Sequence, residues 1–322
     1  MEKSNLDLIN DCDNFPYYET DPHLYDAALD RLYTLQVASD PYNSTLGFVL
    51  PLVAETLRGL PQWTVDDDEH TLTLKSGRDE AERTIMVAQT TAAMREVGHF
   101  QVLKGWRDEL FPVFARDGAL LFKIERAASA LFGVVSYGVH MTCYVRAGDA
   151  IKVWVPRRSQ TKSTYPGMLD NTVAGGLPAG EKPFNAVIRE AEEEASLPAE
   201  LVRERAKAVG VVSYFLIRDE RAGGETGLLQ PESQYVYDME VPEDVVPKPN
   251  DDEVEGFALL SIEEIKVALL RGEFKPNCAL VMLDFFVRHG ILTPENEKHY
   301  IDIVTRLHRR FEFPTIRDMG QE

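Results

Sequence analysis

Residues 175–197 read GGLPAGEKPFNAVIREAEEEASL, and this stretch decides how the rest of the chain is read. The spacing predicts a helix over 183–195. Proline just inside the start suits the first helical turn, where its missing N–H costs nothing. At about 100° per residue, Glu190, Glu193 and Glu194 fall within roughly 100° of each other. Phe184, Val187, Ile188, Ala191 and Ala195 form the adjacent apolar stripe, and Asn185 and Glu192 point away. Three carboxylates therefore crowd one edge of a helix docked by its neighbouring face. Like charges at that spacing destabilise a helix. A hard cation offsets them, because magnesium prefers oxygen ligands, keeps several waters and is shared with substrate phosphates. A solvated acidic face is the plainer alternative for an isolated EAEEE run. The glycine pair, Glu181 and Arg189 at fixed offsets speak against it.

The same residues fit the pattern G-x5-E-x7-R-E-U-x-E-E-x-G-U, where U is apolar, at every defined position but one. Gly175 opens it, Glu181 follows, Arg189-Glu190 and Glu193-Glu194 complete it, and Ser196 stands where the pattern has glycine. In this the chain resembles the Nudix hydrolases. The resemblance implies cleavage of a diphosphate joined to another moiety, with Mg²⁺ or Mn²⁺. It implies that Glu190 and Glu194 bind the metal with help from the Gly175 carbonyl. Glu193 is then a further ligand or the residue that deprotonates water, and Arg189 holds the carboxylates through Glu181 or Glu193. Ser196 replaces a residue suited to a left-handed helix end; this bears on backbone geometry more than on chemistry. The run Gly175–Lys182 also has the G-x-x-x-x-G opening of a nucleotide-binding loop. Glu181 occupies the lysine position and no hydroxyl residue follows Lys182, so that reading is rejected.

Composition sets the bounds. The 322 residues suffice for one large domain or two ordinary ones, and 44% hydrophobic content supports real cores. A formal charge of −19 argues against non-specific binding to nucleic acid or an anionic membrane. An anionic substrate must then meet a local basic cluster. Cys12, Cys143 and Cys278 are scattered and odd in number, which suggests idle thiols in a reducing compartment. The histidines show no metal-ligand spacing. The N-terminus has no apolar core like a signal peptide and is too acidic for a transit peptide. No apolar run approaches membrane length. A soluble, cytoplasmic protein is expected.

Three regions are expected. Residues 1–130 should form a smaller, mainly helical α+β domain, with helices over Leu24–Val37 and Thr84–Glu96 and an apolar stretch over Leu46–Leu57. A hairpin is expected at Trp63–Val65 and Thr71–Leu74, the strand-like LFPVF follows, and Leu120–Phe132 reads as a strand leading into a short helix. Residues 131–290 should form an α/β domain. Strands are expected at Val134–Arg146, Ile151–Val155, Ala208–Ile217, Ser233–Val241 and Val254–Leu260, the first two separated by Ala147-Gly148-Asp149. Helices are expected at Ile262–Leu270 and Cys278–Arg288. Residues 291–322 should be a helical tail, with a helix over Glu295–Phe311. Pattern alone supports an α/β or α+β class; the α/β/α sandwich with a mixed sheet is what the Nudix resemblance implies.

The flanking motifs DLINDCDNFPYY, KGWRDELFPVF, IERAASALFGVVSYGVHMTCYV and KVWVPRRSQTKSTYPGMLDNTVAGG also look familiar. They resemble the DUF4743-type domain and junction of thiamine-pyrophosphokinase-related Nudix proteins. That resemblance implies action on damaged thiamine diphosphates, oxy- or oxo-derivatives, converted to the monophosphate. About thirty residues follow Gly290, so the kinase domain of some relatives is not expected. Arg157, Arg158 and Lys162 are the densest basic cluster near the box and are expected to contact substrate phosphate. Asp170 and Asn171 could orient the loop, bind metal through water, or simply form a turn. Glu253 and Glu255 could supply a carboxylate from outside the box. Gln234, Tyr214 and Tyr235 could line a heterocycle pocket, and Trp106, Phe132 and Tyr165 could stack on one, although core packing is the commoner fate of such aromatics. Two rivals stand beside a hydrolase. An isopentenyl-diphosphate-isomerase-like enzyme needs a cysteine, and histidine metal ligands, around the sheet approaching the box; the approach TYPGMLDNTVAGG has neither, although Cys143 and His140 lie upstream. A non-catalytic diphosphate-binding module is opposed by the intact acidic set.

Overall fold

The computed structural model describes residues 2–316 except 76, 149 and 251. The N-terminal half opens with α1 (Asn5–Cys12) and α2 (Pro22–Leu29), followed by β1 (Tyr33–Val37), β2 (Gly47–Val49), α3 (Pro51–Leu57), β3 (Trp63–Asp66) and β4 (Thr71–Leu74). The strands form a sheet in the order β2-β1-β4-β3, with β1 and β4 parallel. Helix α4 (Glu80–Val97) is capped by Asp79, which accepts from the Glu82 amide, and ends at left-handed Gly98. The antiparallel pair β5 (Leu110–Phe114) and β6 (Leu120–Glu125) leads into a 3-10 turn at Arg126–Leu131. Leu35, Leu57, Trp63, Leu72, Val87, Phe122 and Phe132 share one buried core.

The second half carries β7 (Ser136–Ala147), β8 (Ala150–Arg158), β9 (Val173–Gly176), α5 (Pro183–Ala195), α6 (Ala199–Arg205), β10 (Lys207–Ile217), β11 (Leu229–Glu240) and β12 (Val254–Ser261). Helices α7 (Ile262–Leu270), α8 (Pro276–Arg288) and α9 (Tyr300–Arg306) complete it. The mixed sheet runs β10-β11-β7-β8-β12, and β9 pairs with the first part of β7. Side chains alternate across a strand, and β7 shows the result. Val139, Met141 and Cys143 face α5 and α6, meeting Val187, Ala191 and Val202. Tyr144 faces the opposite layer, with Leu280 and Phe285 of α8. Helices thus cover both faces, as the α/β/α expectation requires.

Several elements differ from the sequence reading. Leu24–Val37 is not one helix: α2 stops at Leu29, and Leu35 and Val37 turn inward from a strand held by β2 and β4. Leu46–Leu57 likewise divides into β2 and α3. The N-terminal half is nonetheless α+β with more helix than strand, as expected. The helix expected over Glu295–Phe311 shrinks to α9. Beyond it, the Arg309 amide donates to the Ser213 carbonyl at 3.2 Å and the Arg309 guanidinium reaches Asp13 at 3.1 Å, so the tail follows β10 instead of coiling. Helix α1, which periodicity alone did not reveal, packs Leu8, Ile9 and Cys12 into the core shared with α8. Its start is a capping box between Ser4 and Asp7. The Ala147-Gly148-Asp149 turn ends at a residue outside those described; Gly148 has a positive φ of 63°.

Candidate active site

Helix α5 spans the bounds read from the sequence, Pro183–Ala195. Val187 and Ala191 anchor its apolar stripe on the sheet, which leaves the carboxylates along the β9 side. A Cβ on Gly175 would stand 2.0 Å from Glu190 Cδ and 2.1 Å from its Oε1. Only glycine lets this backbone approach the carboxylate. The Ala174 amide donates to Glu194 Oε2 at 3.0 Å, so β9 holds two of the three glutamates in place.

Arg189 is the clamp of the acidic set. Its Nε and Nη2 donate to Glu181 at 3.1 and 2.9 Å, and its Nη1 to Glu190 at 2.8 Å and Glu193 at 3.1 Å. Both alternatives for Arg189, Glu181 and Glu193, are thus taken at once. These bonds, led by that to Glu181, push the guanidinium pKa up. Glu193 is the outlying member, with 55% of its side chain exposed against 13% for Glu190.

Burial raises the pKa of Glu190, and Arg189 opposes the rise. Burial raises Glu194 further, with Glu190 and Asp170 adding negative charge nearby. Two adjacent carboxylates penalised for being charged are short of positive charge. With the Gly175 cradle and an all-oxygen donor set, they fit a hard divalent cation. Among the described residues, no three His, Cys, Asp or Glu side chains converge as a closed cage. Magnesium needs no such cage, since water and phosphate fill much of its shell.

The loop that cradles Glu190 also forms a wall of a cavity of about 490 Å³ between the two halves of the chain. Ala174, Gly175 and Gly176 line it on one side. Its charged lining among the described residues is Lys104, Arg107, Arg126, Arg218 and Lys275 against the single carboxylate Glu232. In a chain of −19 this is the local basic region an anion requires. Arg126 Nη1 lies 3.0 Å from where a Cβ on Gly176 would stand, while its guanidinium is held by Glu109 at 2.9 Å. Polar side chains form the floor. Gln234 Nε2 donates to Glu232 Oε2 at 2.8 Å and to the Tyr214 hydroxyl at 3.2 Å. Tyr214 in turn donates to Glu232, and Gln234 Oε1 is buried without a partner.

The basic cluster expected to meet phosphate lies elsewhere. Arg158 is buried, donating to Asp170 at 2.7 Å and to the carbonyls of Tyr165 and Thr164 at 3.1 and 2.8 Å. It therefore shapes the 164–170 loop. Arg157 is exposed, donates to the Gly167 carbonyl at 2.7 Å and borders, with Glu255, a different cleft. Lys162 is within electrostatic reach of Glu194 but is paired with Glu253, which also receives Arg107 at 3.3 Å. None of the three lines the cavity.

Asp170 and Asn171 orient the approach to β9. Asp170 accepts from the Cys278 thiol at 2.7 Å, and Asn171 Oδ1 meets His140 Nδ1 at 2.7 Å. Burial lowers the His140 pKa to about 4, so it is neutral. Tyr165 lines the cavity, as do Tyr214 and Gln234, whereas Tyr235 does not. Phe132 packs beside Trp63 in the N-terminal core, and Trp106 stacks under Arg95 at 4.7 Å. His140 and Cys143 sit three residues apart on β7 and face opposite sides of the sheet.

Comparison with known proteins agrees with this geometry. The NUDIX domain family matches residues 137–278, and the domain of unknown function DUF4743 matches residues 42–136. An uncharacterized protein of Saccharomyces cerevisiae is 40% identical over 286 residues, covering 85% of this chain and 83% of its own. This chain belongs to the Nudix hydrolase family. The chloroplastic Nudix hydrolases 20 and 24 of Arabidopsis thaliana are 40% and 38% identical over 71% and 70% of the chain. The alignment spans 59% of each of those two proteins. A solved structure from Deinococcus radiodurans, 22% identical with a TM-score of 0.41, is covered over 98% of its length by 54% of this Nudix hydrolase. Among the described residues no helix is long and apolar enough to cross a membrane.

One departure from the family pattern has a local outcome. Ser196 occupies the left-handed position that ends α5, with φ 53° and ψ 31°. A side chain there costs roughly 1–2 kcal/mol, and glycine returns part of this in unfolded-chain entropy. Ser196→Gly is expected to stabilise the enzyme by about 1 kcal/mol, with unchanged turnover. Thermal melts and steady-state rates check both.

Proposed function

We propose that this Nudix hydrolase cleaves thiamine-diphosphate-like compounds to the monophosphate and inorganic phosphate, preferring oxy- or oxo-forms over the native cofactor. The carrying observation is the cavity of about 490 Å³, cationic in an acidic chain and walled by the Gly175 loop of the Nudix box. Its size falls within the range of small-molecule sites. The DUF4743 half contributes Lys104, Arg107 and Arg126 to it, which supports a role for that half in choosing substrate.

In this reading Glu190, Glu194 and the Gly175 carbonyl would hold Mg²⁺ or Mn²⁺. The ion would supply positive charge to the diphosphate oxygens. Arg126 lies against the same loop and would grip phosphate, with Lys104 adding charge. Water attacks phosphorus, a new P–O bond forms, the bridging P–O bond breaks, and the proton passes to a carboxylate. Glu193, exposed and tethered by Arg189, is a further ligand or that proton acceptor. Arg189 and Glu181 position the set.

A competition assay tests the substrate: native, oxy- and oxo-thiamine diphosphate at equal concentration with Mg²⁺, and products identified. Faster loss of the altered forms is expected. Preference for the native cofactor would overturn the damage-clearance reading. Inactivity on all three, beside brisk cleavage of a nucleoside diphosphate derivative, would overturn the substrate class. The cations separate by kinetics. Arg126→Ala is expected to lower kcat/KM about ten- to a hundredfold, the worth of a charge-assisted phosphate contact. Arg157→Ala, removing an arm directed at Gly167, should change it less than twofold or so. Equal effects would return phosphate binding to the 157–162 cluster.

A further inference from the structure

Arg218 is the most buried of the cations that line the cavity. It follows β10, is 9% exposed, and lines the cavity with Tyr165 and Gly223. Its Nη2 donates to the carbonyls of Ala222 and Gly223 at 2.7 and 2.8 Å. Its Nε is buried with no partner. Among the described residues, no carboxylate pairs with the guanidinium and no acceptor meets Nη1. Burial accordingly depresses its pKa. A guanidinium never sheds its proton in a protein, so a buried charge with no counterion and three unused N–H groups, on Nε and Nη1, remains. Such a group is costly unless something supplies acceptors.

Position says what that something is. Val212, Gln234, Gly138 and Gly176 lie in register across the sheet, so this line marks the Gly175 loop. The stretch from Val212 to Arg218 runs roughly 20 Å at about 3.4 Å per residue. Arg218 thus begins from the end of the cavity remote from the Nudix box. Tyr165 lies within its electrostatic reach and is held in the left-handed region at φ 48°. Strain of this kind persists where the surroundings over-determine it, often at ligand sites. The loop here is fastened to the other half of the chain, because Glu225 accepts from the amides of Gln101 and Val102.

We propose that Arg218 determines specificity, an unpaired guanidinium N–H donating to a ring oxygen acceptor on the substrate moiety remote from the diphosphate. Tyr165 is the aromatic surface beside that ring. A carbonyl satisfies an unpaired donor; an amino group in the same place meets a donor with a donor. This deepens the proposed function, which supplies the diphosphate end.

The test measures binding apart from turnover. Oxythiamine diphosphate and thiamine diphosphate, which differ by a ring oxygen against a ring amino group, are titrated calorimetrically into the full-length protein without divalent ion. Wild type is expected to favour the oxygen form about ten- to a hundredfold. Arg218→Met should bring that ratio near unity, and Arg218→Lys should restore part of it. A merely structural role would weaken both ligands in parallel and leave the ratio unchanged, which would overturn the assignment. Wild type without preference, or without binding to either compound, overturns it as well. Wild-type turnover with Mg²⁺ is followed separately. Selective binding without hydrolysis would sink the hydrolytic substrate reading while supporting Arg218; hydrolysis with an Arg218-independent ratio would do the reverse.

Discussion

Glu190→Gln is expected to lower turnover by roughly 10³-fold or more while the protein stays folded. The carboxylate sits between the Gly175 backbone and Arg189, 13% exposed, at the centre of the acidic set. Glutamine keeps the volume and one oxygen, so the packing against β9 survives. What disappears is the negative charge that would hold a divalent ion against the diphosphate, and electrostatic contributions in such sites reach several kcal/mol. A second readout does not depend on activity. An ion that binds only the folded state raises its stability by RT ln(1 + [L]/Kd). Adding Mg²⁺ or Mn²⁺ should therefore raise the melting temperature of wild type more than that of the variant, and chelation should erase the difference. A folded variant with near-normal rates and the same metal-induced shift would remove Glu190 from the metal site.

The acidic helix was legible because its constraints are local. Proline at the start, an apolar stripe at helical spacing and a fixed set of glutamates define Pro183–Ala195 without reference to any other segment. The Trp63–Asp66 and Thr71–Leu74 hairpin was legible for the same reason, its polar turn lying between two alternating runs. Tyr33–Val37 was not, because what makes it a strand is pairing with β2 and β4, and a helical spacing of Leu24, Tyr25, Leu29 and Leu32 runs straight into it.

Closeness in sequence does not place basic residues on the cavity. Arg157, Arg158 and Lys162 stand together in sequence, yet a buried aspartate twelve residues on claims Arg158 and a glutamate just before β12 claims Lys162. The cations that line the cavity come from four separate segments: Lys104 and Arg107 before β5, Arg126 after β6, Arg218 after β10 and Lys275 before α8. None of these segments has a basic run that marks it as part of one site. Only the docking of the N-terminal half against the sheet gathers them, so no reading of spacing could have found the site they make. Tyr214 and Gln234 share a face through the β10–β11 register, whereas Tyr235, grouped with them in the sequence reading, alternates to the other face.

Asp170→Asn should destabilise the protein strongly and leave the chemistry of the folded fraction largely intact. Asp170 accepts from Arg158 Nη1 at 2.7 Å, from the Cys278 thiol at 2.7 Å and from the Asn171 amide at 2.9 Å. Both partners of the ion pair are buried, at 10% and 9% side-chain exposure. Asparagine removes the charge and leaves the Arg158 guanidinium buried without a counterion, a change worth about 3–5 kcal/mol. For a chain of this size the melting temperature should fall by on the order of 10 °C. The pH dependence has a definite sign. Burial alone would push the Asp170 carboxyl up, but Lys275 and Arg158 reverse this and hold its pKa well below the usual carboxylate range. A group depressed in the folded state contributes stability above its unfolded pKa of about 3.9, and loses it as pH falls through the folded value. The gap between wild type and variant should thus stay constant from about pH 8 to 5 and narrow only below about pH 4. Binding of metal by Asp170 through water would give the opposite pattern: an intact melting temperature, a metal-induced shift that is lost, and turnover reduced as in Glu190→Gln. The two measurements together decide between an aspartate that builds the loop and one that serves the ion, and the bonds to Arg158 and Cys278 favour the builder.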